Sequence, residues 1–329
     1  MTLVFRFLTR ARRCVSVLAL LPVAVSADVY KCLDQKAKVF YQDRPCRELT
    51  PARLPPGLSR LAPSDNRPHF LWKAVSAKGT VYLMGALPYG ASDMYPLPES
   101  ITDALAESDV LIVGADVQAL PQAELLSIAA NLGVYSDHSG LRDHIKAAAW
   151  ERVLKLSKAL GIAEETLLTW KPWMASLSLM NLAAKQAGYT QEFGIDKAFV
   201  KDAQMQKPVL QLDSAEEQVK MLDGLSGLEQ EQFLLKSLDE IEDGYFKSMI
   251  EAWTNGDASS IELMVRRRFD SFPAAHKLFT DRSAAMAEKI GTLAADGRTY
   301  FAVLEAGRLV GEHGLLHLME SKGFKISQR

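Results

Sequence analysis

The run Val110-Leu-Ile-Val113 is apolar at all four positions. A strand with one wet face alternates apolar and polar residues, so an unbroken run of this kind is expected to be covered on both sides, as in α/β proteins. The flanking sequence agrees. Phe70–Ser76 and Thr80–Gly85 read as two strands about a Lys78-Gly79 turn, and Pro98-Glu99-Ser100 leads into a one-sided helix marked by Ile101, Ala104 and Leu105. From Leu120 to Gln204 the pattern is mostly helical. Leu141–Leu160 carries a helical stripe that Gly161 should stop, and Pro172 suits the first turn of another helix. Lys207–Leu212 reads as a strand, and helices with apolar faces follow through Ile250, Met264 and Ile290. Thr299–Leu304, a helix from about Leu309 to Ser321, and Phe324–Ile326 close the chain as strand, helix, strand. The expected architecture is α/β: a mixed central sheet flanked by helices, with a large helical insertion.

The first segment differs in kind. Residues 1–13 carry Arg6, Arg10, Arg12 and Arg13 with no acid, and an apolar run from Cys14 to Val25 ends in Val25-Ser26-Ala27. That is the pattern of a signal peptide covering residues 1–27, since twelve residues fall short of the roughly 20 that a spanning helix needs. Export to a Gram-negative-type periplasm, or secretion, is expected, with no stable membrane span once the signal is removed. Losing the four arginines moves the balance from 38 cations against 40 acids to about −6, which argues against nucleic acid as a partner.

Cys32 and Cys46 remain in the mature chain. In an oxidising compartment the isolated pair reads as a disulfide worth about 3 kcal/mol, the alternative being a metal pair that would need two more soft ligands. Residues 28–49 alternate around Gln35-Lys36 as a small β module, which such a disulfide would staple. Tyr30, Lys31, Asp34, Tyr41, Asp43 and Pro45 resemble a short envelope module of unknown function. Residues 50–69 hold Pro51, Pro55, Pro56, Pro63 and Pro68 and read as a linker to a main domain at 70–329.

Within that domain the motif order is specific. Leu71-Trp72-Lys73, Tyr82-Leu83-x-Gly85, Tyr95-Pro96-Leu97-Pro98, Ser108-Asp109-Val110, Glu192-x-Gly194-Ile195-Asp196, Glu216-Glu217-Gln218, Ala252-Trp253-x-x-Gly256-Asp257 and Leu309-Val310-Gly311 occur in sequence. This series resembles the TraB/GumN family, to which the Tiki proteases are also similar. The resemblance implies a metal-dependent hydrolase or peptidase with two Gly-x-x-His motifs and a glutamate after the buried strand, a donor set suited to a divalent ion such as manganese that activates water. Each element is altered. The first motif reads Gly85-Ala-Leu-Pro88, the second Glu305-Ala-Gly-Arg308, and Gly114 stands in the glutamate's place.

Proline and glycine offer no side-chain donor, and arginine is a fixed cation. The expectation is therefore a degenerate member with no catalytic residues, no metal and no cofactor, binding a peptide, small ligand or envelope protein. Arg308 would put its guanidinium where the cation belongs, paired with Glu305 or Asp116. Asp116, Glu192 and Asp196 are the candidate pocket residues. The alternatives are an active hydrolase with displaced ligands such as Asp116, Glu305 and His313, and a structural envelope protein. Serine nucleophile chemistry finds no Gly-x-Ser-x-Gly elbow. His313 and His317, His69 and His276 read as surface histidines, and Arg266-Arg-Arg268 as a solvated helix face.

Overall fold

A computed structural model describes residues 30–33, 39–42, 68–114, 127–128, 131–137, 139–203, 207–269 and 272–329. The signal segment, most of the linker, Cys46 and Asp116 lie outside the described residues, so the disulfide expectation does too. The chain divides into two compact units, residues 1–62 and 63–329. In the first, β1 (Tyr30–Leu33) pairs antiparallel with β2 (Val39–Gln42), from Tyr30 opposite Gln42 to Leu33 opposite Val39.

The second unit is built on a sheet of six described strands in the order β6-β5-β7-β4-β3-β8. These are β3 (Leu71–Val75), β4 (Thr80–Ala86), β5 (Val110–Val113), β6 (Val209–Gln211), β7 (Thr299–Glu305) and β8 (Lys325–Gln328). β4, β7, β5 and β6 are mutually parallel, whereas β3 runs antiparallel to both β4 and β8, so the sheet is mixed. All of β5 is buried, as its uniform composition requires, β4 is buried from Val81 onward, and β7 is buried from Tyr300 to Leu304. Leu83, Leu111, Ile112, Tyr300 and Phe301 are fully enclosed. Each such side chain contributes about 1.5–3 kcal/mol of transfer free energy, which is what holds the sheet flanked by helices.

Helices α1 (Glu99–Ala106) and α6 (Ile195–Ala203) border this core, and α1 buries the Ile101 and Ala104 that its periodicity selects. The helical stretch expected over 141–160 is two pieces, α2 (Leu141–His144) and α3 (Ala147–Leu160), because Ile145 and Lys146 adopt extended backbone between them. Gly161 ends α3 at φ 75°, a left-handed cap that glycine adopts without steric cost. After α4 (Glu164–Leu167), α5 (Pro172–Gln186) starts at the expected proline, and Trp173 is wholly buried with its indole N–H on Asp223 at 3.1 Å.

The remaining insertion comprises α7 (Ala215–Asp223), α8 (Gly227–Glu242), α9 (Tyr245–Thr254) and α10 (Ala258–Phe269). α7 and α8 both open with serine capping boxes, Ser214 with Glu217 and Ser226 with Glu229. A π turn (His276–Thr280) leads into α11 (Asp281–Leu293). The single helix expected near 309–321 is instead α12 (Ala306–Leu309) and α13 (Leu315–Ser321), since Gly311 turns the chain at φ 85°. Among the described residues no helix is long and apolar enough to cross a membrane.

Candidate functional site

Three segments named by the sequence meet at the carboxyl ends of neighbouring parallel strands. β7 lies between β4 and β5, with Gly85 opposite Leu304, Ala86 opposite Glu305 and Val113 opposite Val303. This seats residues 85–88, Gly114 and residues 305–308 side by side, at the edge where α/β sheets gather ligand groups.

Gly85 is held by close packing. A Cβ there would lie 2.6 Å from Phe70 Cε1 and 3.1 Å from Ala306 Cα, while its carbonyl accepts the Trp253 indole N–H at 2.5 Å. Pro88 is exposed. Gly114 has room, since the nearest atom to an added Cβ would be Leu304 Cδ2 at 3.6 Å.

Arg308 is the buried charge of the site, 6% exposed. Its Nη1 donates to the Phe279 carbonyl and to Ser283 Oγ, each at 3.3 Å, and Nη2 donates to the Leu278 carbonyl at 3.4 Å. The guanidinium also lies over the Phe279 ring, 5.2 Å from its centroid. Glu305 Oε2 is 3.7 Å from Nη2, but its side chain is 63% exposed, so this is the looser half of the arrangement. Burial pushes the Arg308 pKa down; Glu305 opposes that shift and the neighbouring Arg282 adds to it. Of the two carboxylate partners expected for Arg308, Glu305 stands at 3.7 Å, farther than the π-turn carbonyls, and Asp116 lies outside the described residues.

The candidate pocket residues separate. Glu192 is exposed, whereas Asp196 stands in the first turn of α6, against the 85–88 turn. Ile195 N–H donates to the Leu87 carbonyl at 2.9 Å, and a Cβ on Gly194 would lie 2.8 Å from both the Pro88 carbonyl oxygen and Asp196 Oδ1. Asp196 Oδ1 is buried without a hydrogen-bond partner, and burial raises its pKa against the opposing backbone N–H of Lys197. Asp116 lies outside the described residues.

Sequence reading missed two charges here. Asp213, just past β6, forms an ion pair with Arg282 of α11, and both are mostly buried. The available signal was Asp213's place directly after a strand on the same sheet edge. The histidine readings divide: His276, His313 and His317 are exposed, but His69 is buried at 8%. Arg268 is likewise no solvated residue. Its side chain is 22% exposed and Nη1 donates to both oxygens of Glu240, at 3.1 and 2.8 Å.

The family model for TraB/PrgY/gumN matches residues 70–328. The chain belongs to the TraB/PrgY/gumN family. Uncharacterized protein YbaP of Escherichia coli (strain K12) is 30% identical over 161 residues, covering 47% of this chain and 57% of YbaP. YbaP of Shigella flexneri matches with the same identity and coverage. The chain thus spans little more than half the length of these curated relatives. No solved structure matches it.

The described residues of the family position are poor in donors for a divalent cation. Of the residues brought together there, Pro88 and Gly114 supply no donor atom, and Arg308 brings a positive charge within 3.7 Å of Glu305, the nearest carboxylate of the motif. Among the described residues, no group of three or more His, Cys, Asp or Glu side chains is placed to hold a metal ion.

Proposed function

We propose that this chain is an exported, catalytically degenerate member of its family that acts by binding a peptide, small ligand or envelope protein. The observation that carries the reading is Arg308, a buried guanidinium with three hydrogen bonds to the 278–283 segment and a loose pair to Glu305. A cation fixed there repels a second cation, and Pro88 and Gly114 add nothing to offset the repulsion. Residues 1–27 would direct export and be removed, leaving the 28–49 module and the 50–69 linker ahead of the family domain. Localisation is then periplasmic or extracellular.

The test is metal content by mass spectrometry, with peptidase assays in added manganese or cobalt before and after chelation. Wild type is expected to hold far less than one ion per chain and to leave peptides intact. The combined Pro88→His, Gly114→Glu, Glu305→Gly and Arg308→His protein is expected to gain tight metal binding. A wild-type protein that retains one divalent ion per chain and cleaves peptide through displaced ligands would overturn the reading.

A further inference from the structure

The six-stranded sheet ends at β8, whose outer edge pairs with no described strand. The Arg329 N–H donates inward to the Leu71 carbonyl at 2.8 Å, so alternation along the strand turns the N–H and C=O groups of Ile326 and Gln328 outward. An extended segment laid against this edge would satisfy them as one more strand. We propose that β8 receives an acidic, extended segment of a partner protein. This goes beyond the reading above and is independent of whether the family position holds a metal.

Charge selects the occupant. Lys325, Ser327 and Arg329 share one face of β8 and are exposed, and Val75 of β3, opposite Lys325, is 40% exposed beside them. Lys73 of β3, opposite Ser327, adds a third cation on that face, its Nζ 5.0 Å from the centroid of the Tyr82 ring. Among the described residues Lys325 and Arg329 enter no ion pair, and the acids around them are engaged: Glu107 by the Tyr82 hydroxyl, Glu288 by Lys322, and Asp257 by Ser260.

Two other occupants fit worse. A second copy pairing antiparallel about Ser327 would set Lys325 opposite Arg329, a like-charge contact that destabilises a strand pair. The linker carries Arg53, Arg60 and Arg67 against Asp65, and its prolines lack the N–H that a ladder needs. Basic residues on an edge strand also oppose indiscriminate pairing, which leaves a segment of opposite charge as the favoured guest. β6, at the other end of the sheet, is three residues long and uncharged, so it offers no comparable selection.

The faces of β8 set the pattern the guest must have. Ile326 packs partly against the core, and Gln328 Nε2 donates to the His69 and Gly256 carbonyls at 2.9 and 2.8 Å, so that face of the strand is engaged within the chain. Acids are therefore expected at alternate positions, on the side of Lys325 and Arg329, with β-branched residues between them.

Calorimetric titration of the purified chain at low ionic strength with acetyl-Glu-Val-Glu-Val-Glu-amide tests this, beside acetyl-Lys-Val-Lys-Val-Lys-amide. The acidic peptide is expected to saturate, and the basic one to bind at least about tenfold more weakly. Methylating one alternate set of the acidic peptide's backbone amides should abolish binding and methylating the other should leave it unchanged, since only one set faces β8. Lys325→Glu combined with Arg329→Glu should reverse the preference with an unchanged melting temperature, both side chains being exposed. No saturable binding of the acidic peptide at millimolar concentration overturns the proposal, as does equal loss from both methylation patterns or a preference unaltered in the double variant. A wild-type dimer that the acidic peptide dissociates would also overturn it, giving the edge to a second copy.

Discussion

Arg308 lies over the Phe279 ring, its guanidinium carbon 5.2 Å from the ring centroid, and donates to the carbonyl of that same residue at 3.3 Å. One side chain thereby ties the end of β7 to the π turn preceding α11. Replacing it by alanine strands the Leu278 and Phe279 carbonyls and empties a buried volume. Arg308→Ala is expected to cost about 2–4 kcal/mol, with Arg308→Lys recovering only part, because a point charge lacks the planar fork. Urea unfolding measures both, and midpoints indistinguishable from wild type would show that the guanidinium is not a strut.

Gly85 is fixed by contact rather than by backbone conformation. Because an added Cβ would overlap the Phe70 ring, Gly85→Ala is expected to destabilise by roughly 2–4 kcal/mol. Trp253→Phe keeps most of the packing but leaves the Gly85 carbonyl without its indole donor, for a loss of about 1–2 kcal/mol. Thermal denaturation of the two variants should preserve that order.

Gly114 provides the contrast. Its added Cβ would meet Leu304 Cδ2 only at 3.6 Å, ordinary van der Waals distance. Gly114→Ala should therefore change stability by less than about 0.5 kcal/mol, and a melting temperature that falls by many degrees would contradict this.

Asp196 makes stability depend on pH. Its carboxyl is raised above the ordinary value of 3.8 by burial, so the folded chain holds the proton more tightly than the unfolded chain. Stability conferred by the protonated form is complete below the unfolded pKa and falls as pH rises through the folded pKa. Asp196→Asn removes this loss. It should stabilise by about 1 kcal/mol at pH 7, or ~2–4 °C, with the gain shrinking toward pH 4. A difference that is constant across that range would exclude ionisation of Asp196 as the cause.

Local elements were readable because they depend on the chain's own period and caps. The wholly apolar Val110–Val113, the start at Pro172 and the stop at Gly161 each record a preference that a few neighbours settle. The helix expected across 309–321 failed at Gly311, where a positive φ breaks a continuous apolar pattern. Donor chemistry was equally legible: no packing can give Pro88 or Gly114 a lone pair on its side chain.

What the sequence determined by itself was the alternation of strands and helices and the chemical poverty of the family position. Tertiary structure alone decided that β7 inserts between β5 and β4, bringing Glu305–Arg308 beside Gly85 and Gly114. It also decided that Arg308 turns toward the 278–283 segment, that Asp213 meets Arg282, and that Arg268 packs against Glu240. The reason is physical. Periodicity and side-chain chemistry act over one or two turns of chain, but side-chain direction and strand order are settled by contacts such as Trp253 with Gly85, 168 positions apart.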